Sequence, residues 1–183
     1  MNFANELKQL HACKEAIDWV EENNYTTFEE AWGNCHRGDW MLWFANKKQV
    51  DIRLLTLAKA RCVKLIIHLI KDERSREAVD VSEQYGLGQA TSKVLDAAHD
   101  AAADAATDAD ADAYTADAYA AYAAADAAYA AYAAAADDAN ADATAAAAIY
   151  TADAADYDYA ADGKEILKKC ADICREILTD EVL

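Results

Sequence analysis

Asp96-Ala97-Ala98-His99-Asp100-Ala101-Ala102-Ala103-Asp104-Ala105-Ala106-Thr107-Asp108-Ala109-Asp110-Ala111-Asp112 is the stretch that decides how this chain folds. Alanine has the highest intrinsic helix propensity and gives up no rotamer freedom, so a run dominated by it predicts helix. The run continues well beyond Asp112: 37 of the 67 residues over 97–163 are alanine, and Asp and Tyr supply most of the rest. Elsewhere, proline is absent and glycine occurs five times in 183 residues. That leaves too few breakers for the many turns of a β-sandwich or barrel. The expected fold class is all-α, in two parts of one continuous fold. Residues 1–88 form an amphipathic, Trp-rich helical part, and 89–183 an acidic Ala/Asp/Tyr-rich helical bundle with a C-terminal helix.

A single straight helix over the alanine-rich run would be about 100 Å long at 1.5 Å per residue. Asp and Asn compete for backbone N–H groups at Thr107–Asp112 and Asp137–Asp142, which predicts breaks there and a folded-back bundle. Tyr119, Tyr122, Tyr129 and Tyr132 follow a three-seven-three spacing, so their rings are expected in the seam between alanine faces. From Lys164 to Leu178 the pattern turns ordinary again, with Ile166, Leu167, Cys170, Ile173 and Ile177 on one stripe. This tail is expected to pack back on the bundle.

Upstream, Phe3, Leu7, Leu10, Ile17 and Val20 recur at helical spacing and predict one helix that Asn23 and Asn24 stop. Thr27-Phe28-Glu29-Glu30 has the pattern of a capping box opening a short helix, which Gly38 is expected to end in a left-handed conformation. Asp39 then caps a helix through Trp40, Trp43 and Phe44, and Asp51 caps a longer one running to Leu69. A further helix spans Ser75 to about Tyr85 and ends at Gly86 and Gly88. All four tryptophans (19, 32, 40 and 43) lie here, which makes this part the expected hydrophobic anchor.

Charge is distributed unevenly. The formal net charge is −17. Residues 1–95 hold 14 acidic and 13 basic side chains, whereas 96–163 hold 15 aspartates and no Lys or Arg. An excess of this sign argues against direct contact with nucleic-acid phosphates or an anionic membrane. Asp96, Asp100, Asp104, Asp108 and Asp112 return every fourth residue, so they share one helix face about 6 Å apart. Like charges so placed destabilise a helix by about 0.2–0.5 kcal/mol per pair. A merely solvated face ordinarily mixes signs, and that is the rival reading. The functional reading is an anionic surface for a basic protein, carried by these five together with Asp117, Asp126, Asp137, Asp138 and Asp142. Fifteen carboxylates along ~100 Å amount to one per roughly 7 Å. Duplex DNA carries one per ~1.7 Å, so steering of a basic partner is within reach and mimicry of nucleic acid is the denser extreme.

No catalytic constellation is legible, so the chain is read as a non-enzyme without cofactor. Cys170 and Cys174 lie four apart, but no His offers partner spacing; buried thiols are expected, and no metal. Five cysteines without framework spacing fit reduced thiols and a cytoplasmic location. No apolar run approaches the ~20 residues of a membrane span, and charges interrupt the first 22 positions, so neither span nor leader is expected.

Ala31-Trp32-Gly33-Asn34-Cys35-His36-Arg37-Gly38-Asp39-Trp40-Met41-Leu42-Trp43, with the alanine run and the closing Lys169-Cys170-Ala171-Asp172-Ile173-Cys174-Arg175-Glu176-Ile177-Leu178, resembles immunity proteins of bacterial polymorphic toxin systems. That resemblance implies a non-enzymatic inhibitor that occludes a cognate toxin. Where those proteins are expected to carry Trp and Arg in the alanine run, this chain has Tyr and Asp, and the surface becomes anionic. Two other readings stand beside it. One is a phage-encoded anti-defence protein, a DNA mimic or anti-CRISPR-type inhibitor of a nucleic-acid-handling effector. The other is a structural module that self-associates, as a homodimer, through its tyrosine heptads.

Overall fold

The structure, a computed structural model, describes residues 2–70, 72–110 and 159–182, with the side chains of 69, 106–110 and 159–163 excepted. Within them the fold is all-α. In chain order the helices are α1 (Phe3–Gln9), α2 (Lys14–Glu22), α3 (Phe28–Asn34), α4 (Gly38–Lys47), α5 (Ile52–Lys64), a 3-10 turn (Ile67–Leu69), α6 (Glu73–Gly86), α7 (Ser92–Asp110) and α8 (Tyr159–Val182).

The first correction to the sequence reading falls at His11. The apolar stripe from Phe3 to Val20 is not one helix but two, because His11 adopts φ 60°. The Ala12 N–H donates to the Leu7 carbonyl at 2.9 Å and the His11 N–H to Lys8 at 3.2 Å, which is a Schellman ending. The same pair of bonds closes α2 around Asn24 (φ 56°) and α4 around Gln49 (φ 56°). Among the described helix ends only that of α6 closes on a glycine, Gly88 (φ 75°). An apolar residue at each non-glycine turn (Ala12, Tyr25, Val50) joins the core and offsets the strain of the left-handed position.

Other helix starts divide. Thr27 and Glu30 form the expected capping box, and Asp51 accepts the Arg53 N–H at 2.8 Å. Asp39 does not cap: α4 begins at Gly38, and the Asp39 carboxylate instead takes two hydrogen bonds from Arg37 at 2.9 and 2.5 Å. Nor does Gly38 turn left-handed. It is a point of close approach, where a Cβ would stand 2.4 Å from Cys170 Cβ and 2.8 Å from the Ala171 N. The helix from Asp51 stops at Lys64, short of Leu69, where Leu65 and Ile66 bond back three residues to Cys62 and Val63 and tighten the chain. Asp72 opens α6 by accepting the Arg74 N–H at 2.8 Å, two residues before the expected start at Ser75.

The main core joins α1–α5 to α8. Phe3, Phe28 and Phe44 pack against one another with centroids 4.9–5.6 Å apart, and Trp32 adjoins Phe28 at 5.3 Å. Helix α8 lays Cys170, Ala171, Cys174 and Leu178, all essentially without exposure, onto α4 and α5. Its docking is keyed by polar contacts. Trp32 Nε1 donates to Thr179 Oγ1 at 3.0 Å, and Arg175 donates to the carbonyls of Trp32 and Cys35 at 3.2 and 2.7 Å. Arg175 thus satisfies a carbonyl that the end of α3 leaves open. Among the described residues the buried face of α8 meets the Trp-rich part; most of the alanine-rich run on which the tail is expected to pack lies outside them. A second core pairs α6 with α7 through Ala78, Val81, Tyr85, Leu95 and Ala102.

Candidate functional site

The aspartate face stands on α7. Thr91 Oγ1 accepts the Val94 N–H at 3.4 Å at the start of this helix. Leu95, Ala98, Ala102 and Ala105 then turn toward or into the interior, the first three against α6. That orientation leaves Asp100 and Asp104 exposed and Asp96 half-buried. Asp108 belongs to the same helix, which runs on through Asp110. The structure thus brings the first four ladder positions onto one helix. Asp112, Asp117, Asp126, Asp137, Asp138 and Asp142 lie outside the described residues, as do the four seam tyrosines and the rest of the two expected breaks.

What distinguishes this face is the treatment of charge elsewhere. In the Trp-rich part the fold matches acids with bases across helices: Lys48 with Glu6 at 2.6 Å, Lys8 with Glu21 at 2.5 Å, Lys64 with Asp80 at 2.8 Å and Glu83 at 2.5 Å, and Arg61 with Glu83 at 3.3 Å. The Lys64 hydrogen bond, helped by Arg61 and opposed by burial, holds the Glu83 carboxyl below its ordinary value. Arg74 does the same for Asp72. Among the described residues no ion pair engages Asp96, Asp100 or Asp104.

A second feature was not read from the sequence. All four tryptophans and all three phenylalanines line a single cleft between α1, α2, α3 and α4, of about 80 Å³, with almost no polar wall. Phe3, Trp32 and Phe44 form its depth and are buried, Trp19, Trp40 and Trp43 are half-buried, and Cys13 at its margin is exposed. The Arg37 guanidinium lies 4.2 Å over the Trp40 ring, and His36 meets the edge of Trp19. Left unfilled, apolar volume of this size costs at most about 2 kcal/mol. Tryptophan clustering was visible in the sequence; the cleft needs the Schellman turn at His11, which folds α2 back beside α1.

The other four cysteines are buried. Burial pushes the Cys35 thiol up to about 11. Cys62, Cys170 and Cys174 sit together where α5 meets α8. The hydrogen bond from Cys62 and burial raise Cys170. Cys62 is itself raised, its bond to Cys170 working against the rise while Cys174 and burial drive it. Thiols held protonated in this way are inert packing groups. Among the described residues no group of three or more His, Cys, Asp or Glu side chains is placed to hold a metal ion. Among them, too, no helix is long and apolar enough to cross a membrane.

Compared with family models, curated proteins and solved structures, the chain matches none.

Proposed function

We propose that this protein is a non-enzymatic inhibitor that binds and occludes a basic protein, using the aspartate face that begins on α7. One observation carries the reading. The fold pairs Glu6, Glu21, Asp80 and Glu83 of the Trp-rich part with bases from other helices, yet the consecutive ladder acids Asp96, Asp100 and Asp104 have no ion-pairing base among the described residues. Their spacing is repulsive, so folding alone does not favour it. A basic partner supplies the missing counter-charge, accelerates its own encounter and is selected against acidic competitors. The immunity-protein resemblance makes a toxin the first candidate for that partner. A nucleic-acid-handling effector with a basic channel is the second, because such a channel already accepts a row of anions. On either reading the inhibitor works in the cytoplasm, as its unpaired cysteines suggest.

The test is capture from a lysate of the native host on immobilised full-length protein. The expected prey is basic, is retained at about 50 mM salt and is released by about 500 mM, since exposed charges are screened beyond ~10 Å at 0.1 M. Asp100→Asn/Asp104→Asn/Asp108→Asn should lose it at low salt while its helix content stays unchanged. Retention of the same prey by that variant, with the same salt profile, would remove the aspartates from the interface.

A further inference from the structure

We propose that the aromatic cleft between α1, α2, α3 and α4 is a binding site for a small neutral aromatic molecule, one ring that enters with its apolar substituent inward. This site is separate from the aspartate face and does not rest on the inhibitor reading. Three observations define the ligand. The first is size: about 80 Å³ is roughly half of the ~150 Å³ that a closed engineered cavity uses to hold benzene, and this cleft is open on one side, so a single ring enters with one edge in water. The second is chemistry: the walls are aromatic faces, methyl groups, two thiols and a thioether. They offer nothing that would repay stripping water from a charge.

The third concerns what surrounds the opening. Among the described residues the large hydrophobics with high exposure are Leu87 and Val94, both at the α6–α7 corner and not at the cleft. A docking surface for a protein's apolar side chain would carry an exposed apolar collar around the pocket. Instead, the Arg37–Asp39 ion pair stands beside Trp40. A free small molecule needs the cleft alone, whereas a protein needs the collar too.

The chain supplies its own reporter, because every tryptophan it contains lines the cleft. Full-length protein is titrated with toluene while tryptophan emission and thermal unfolding are followed, with benzoate and benzylammonium as charged counterparts of similar size. The expected result is a saturable emission change and a rise in Tm of about 2–4 °C with toluene and neither with the two ions. Ala16→Leu, which puts a larger side chain into the cleft from α2, should weaken toluene at least tenfold. Should that variant fail to fold, Cys13 of the unaltered chain, the exposed thiol at the margin, is coupled to N-phenylmaleimide or to N-(2-hydroxyethyl)maleimide. The phenyl adduct alone should abolish the toluene response. The proposal is overturned by a toluene response that does not saturate, by equal responses to benzoate, or by a response that survives both the filled cleft and the phenyl adduct.

Discussion

The Trp-rich part and helix α7 are built from the same secondary structure but use charge in opposite ways. In the first, 14 acidic and 13 basic residues over 1–95 nearly cancel, and cross-helix pairs such as Lys48–Glu6 and Lys64–Glu83 tie α1 to α4 and α5 to α6. On α7 Asp96, Asp100 and Asp104 return every fourth position and find no base among the described residues. Surface ion pairs contribute little each, about 0–1 kcal/mol, so the pairing in the first region does not explain why it folds. Its aromatic core does that. The pairing instead leaves that surface nearly neutral, while the α7 face keeps its full field. On the function proposed above, folding rests on the first region and recognition on the α7 face.

The contrast can be broken from either side. Trp32→Ala strikes the aromatic core and the Thr179 contact together, and it should cost about 3–5 kcal/mol in chemical denaturation. A loss under 1 kcal/mol would mean the first region is held by its charges after all. Gly38→Ala should cost about 3 kcal/mol, because the added methyl meets Cys170 Cβ and the backbone of α8. Gly33→Ala is the control: its Cβ meets nothing within 4 Å, so helix propensity alone should make it neutral or stabilising by about 0.5–1 kcal/mol. Equal effects of the two would show that α8 does not dock on α4.

Acid sharpens the comparison. Glu83 and Asp72 have folded values below their ordinary 4.5 and 3.8. The stability they add is present above those ordinary values and is lost as pH falls through the depressed folded ones. Urea midpoints should therefore be flat near pH 6 and fall below about pH 4.5, less steeply in Glu83→Gln. An unchanged slope in that variant would show that the α5–α6 pairs are not formed in solution. The smallest effect belongs to α7. Asp100→Asn/Asp104→Asn should stabilise by about 0.2–0.5 kcal/mol at low salt, and salt should erase the gain. Destabilisation would mean the carboxylates have partners within the fold.

Much of this was legible from local sequence. Helix class followed from alanine content and the scarcity of breakers, the Thr27 and Asp51 caps from residue type, and the ladder from its four-residue period. What escaped was set by geometry that local pattern does not carry. His11 ends α1 in a conformation usually assigned to glycine, so the stripe from Phe3 to Val20 reads as continuous although the chain reverses within it, whereas the stop at Asn23 and Asn24 was legible. Gly38 suggested a turn because its actual neighbour, α8, lies far away in sequence; Cys174, which donates to its carbonyl at 3.8 Å, is 136 positions on. Arg175 closing the end of α3 was hidden for the same reason. The aromatic cleft depends on both, since it exists only once α2 folds back and α4 is anchored from behind.

The central claim is that the α7 aspartates act on a basic protein, and its most direct measurement is the association rate with the captured partner by stopped flow. Unaltered protein and Asp100→Asn/Asp104→Asn/Asp108→Asn are compared from about 50 to 500 mM salt. The account predicts that the unaltered rate falls at least tenfold across that range, and that the variant starts lower and falls less. Equal rates with equal salt dependence would contradict it.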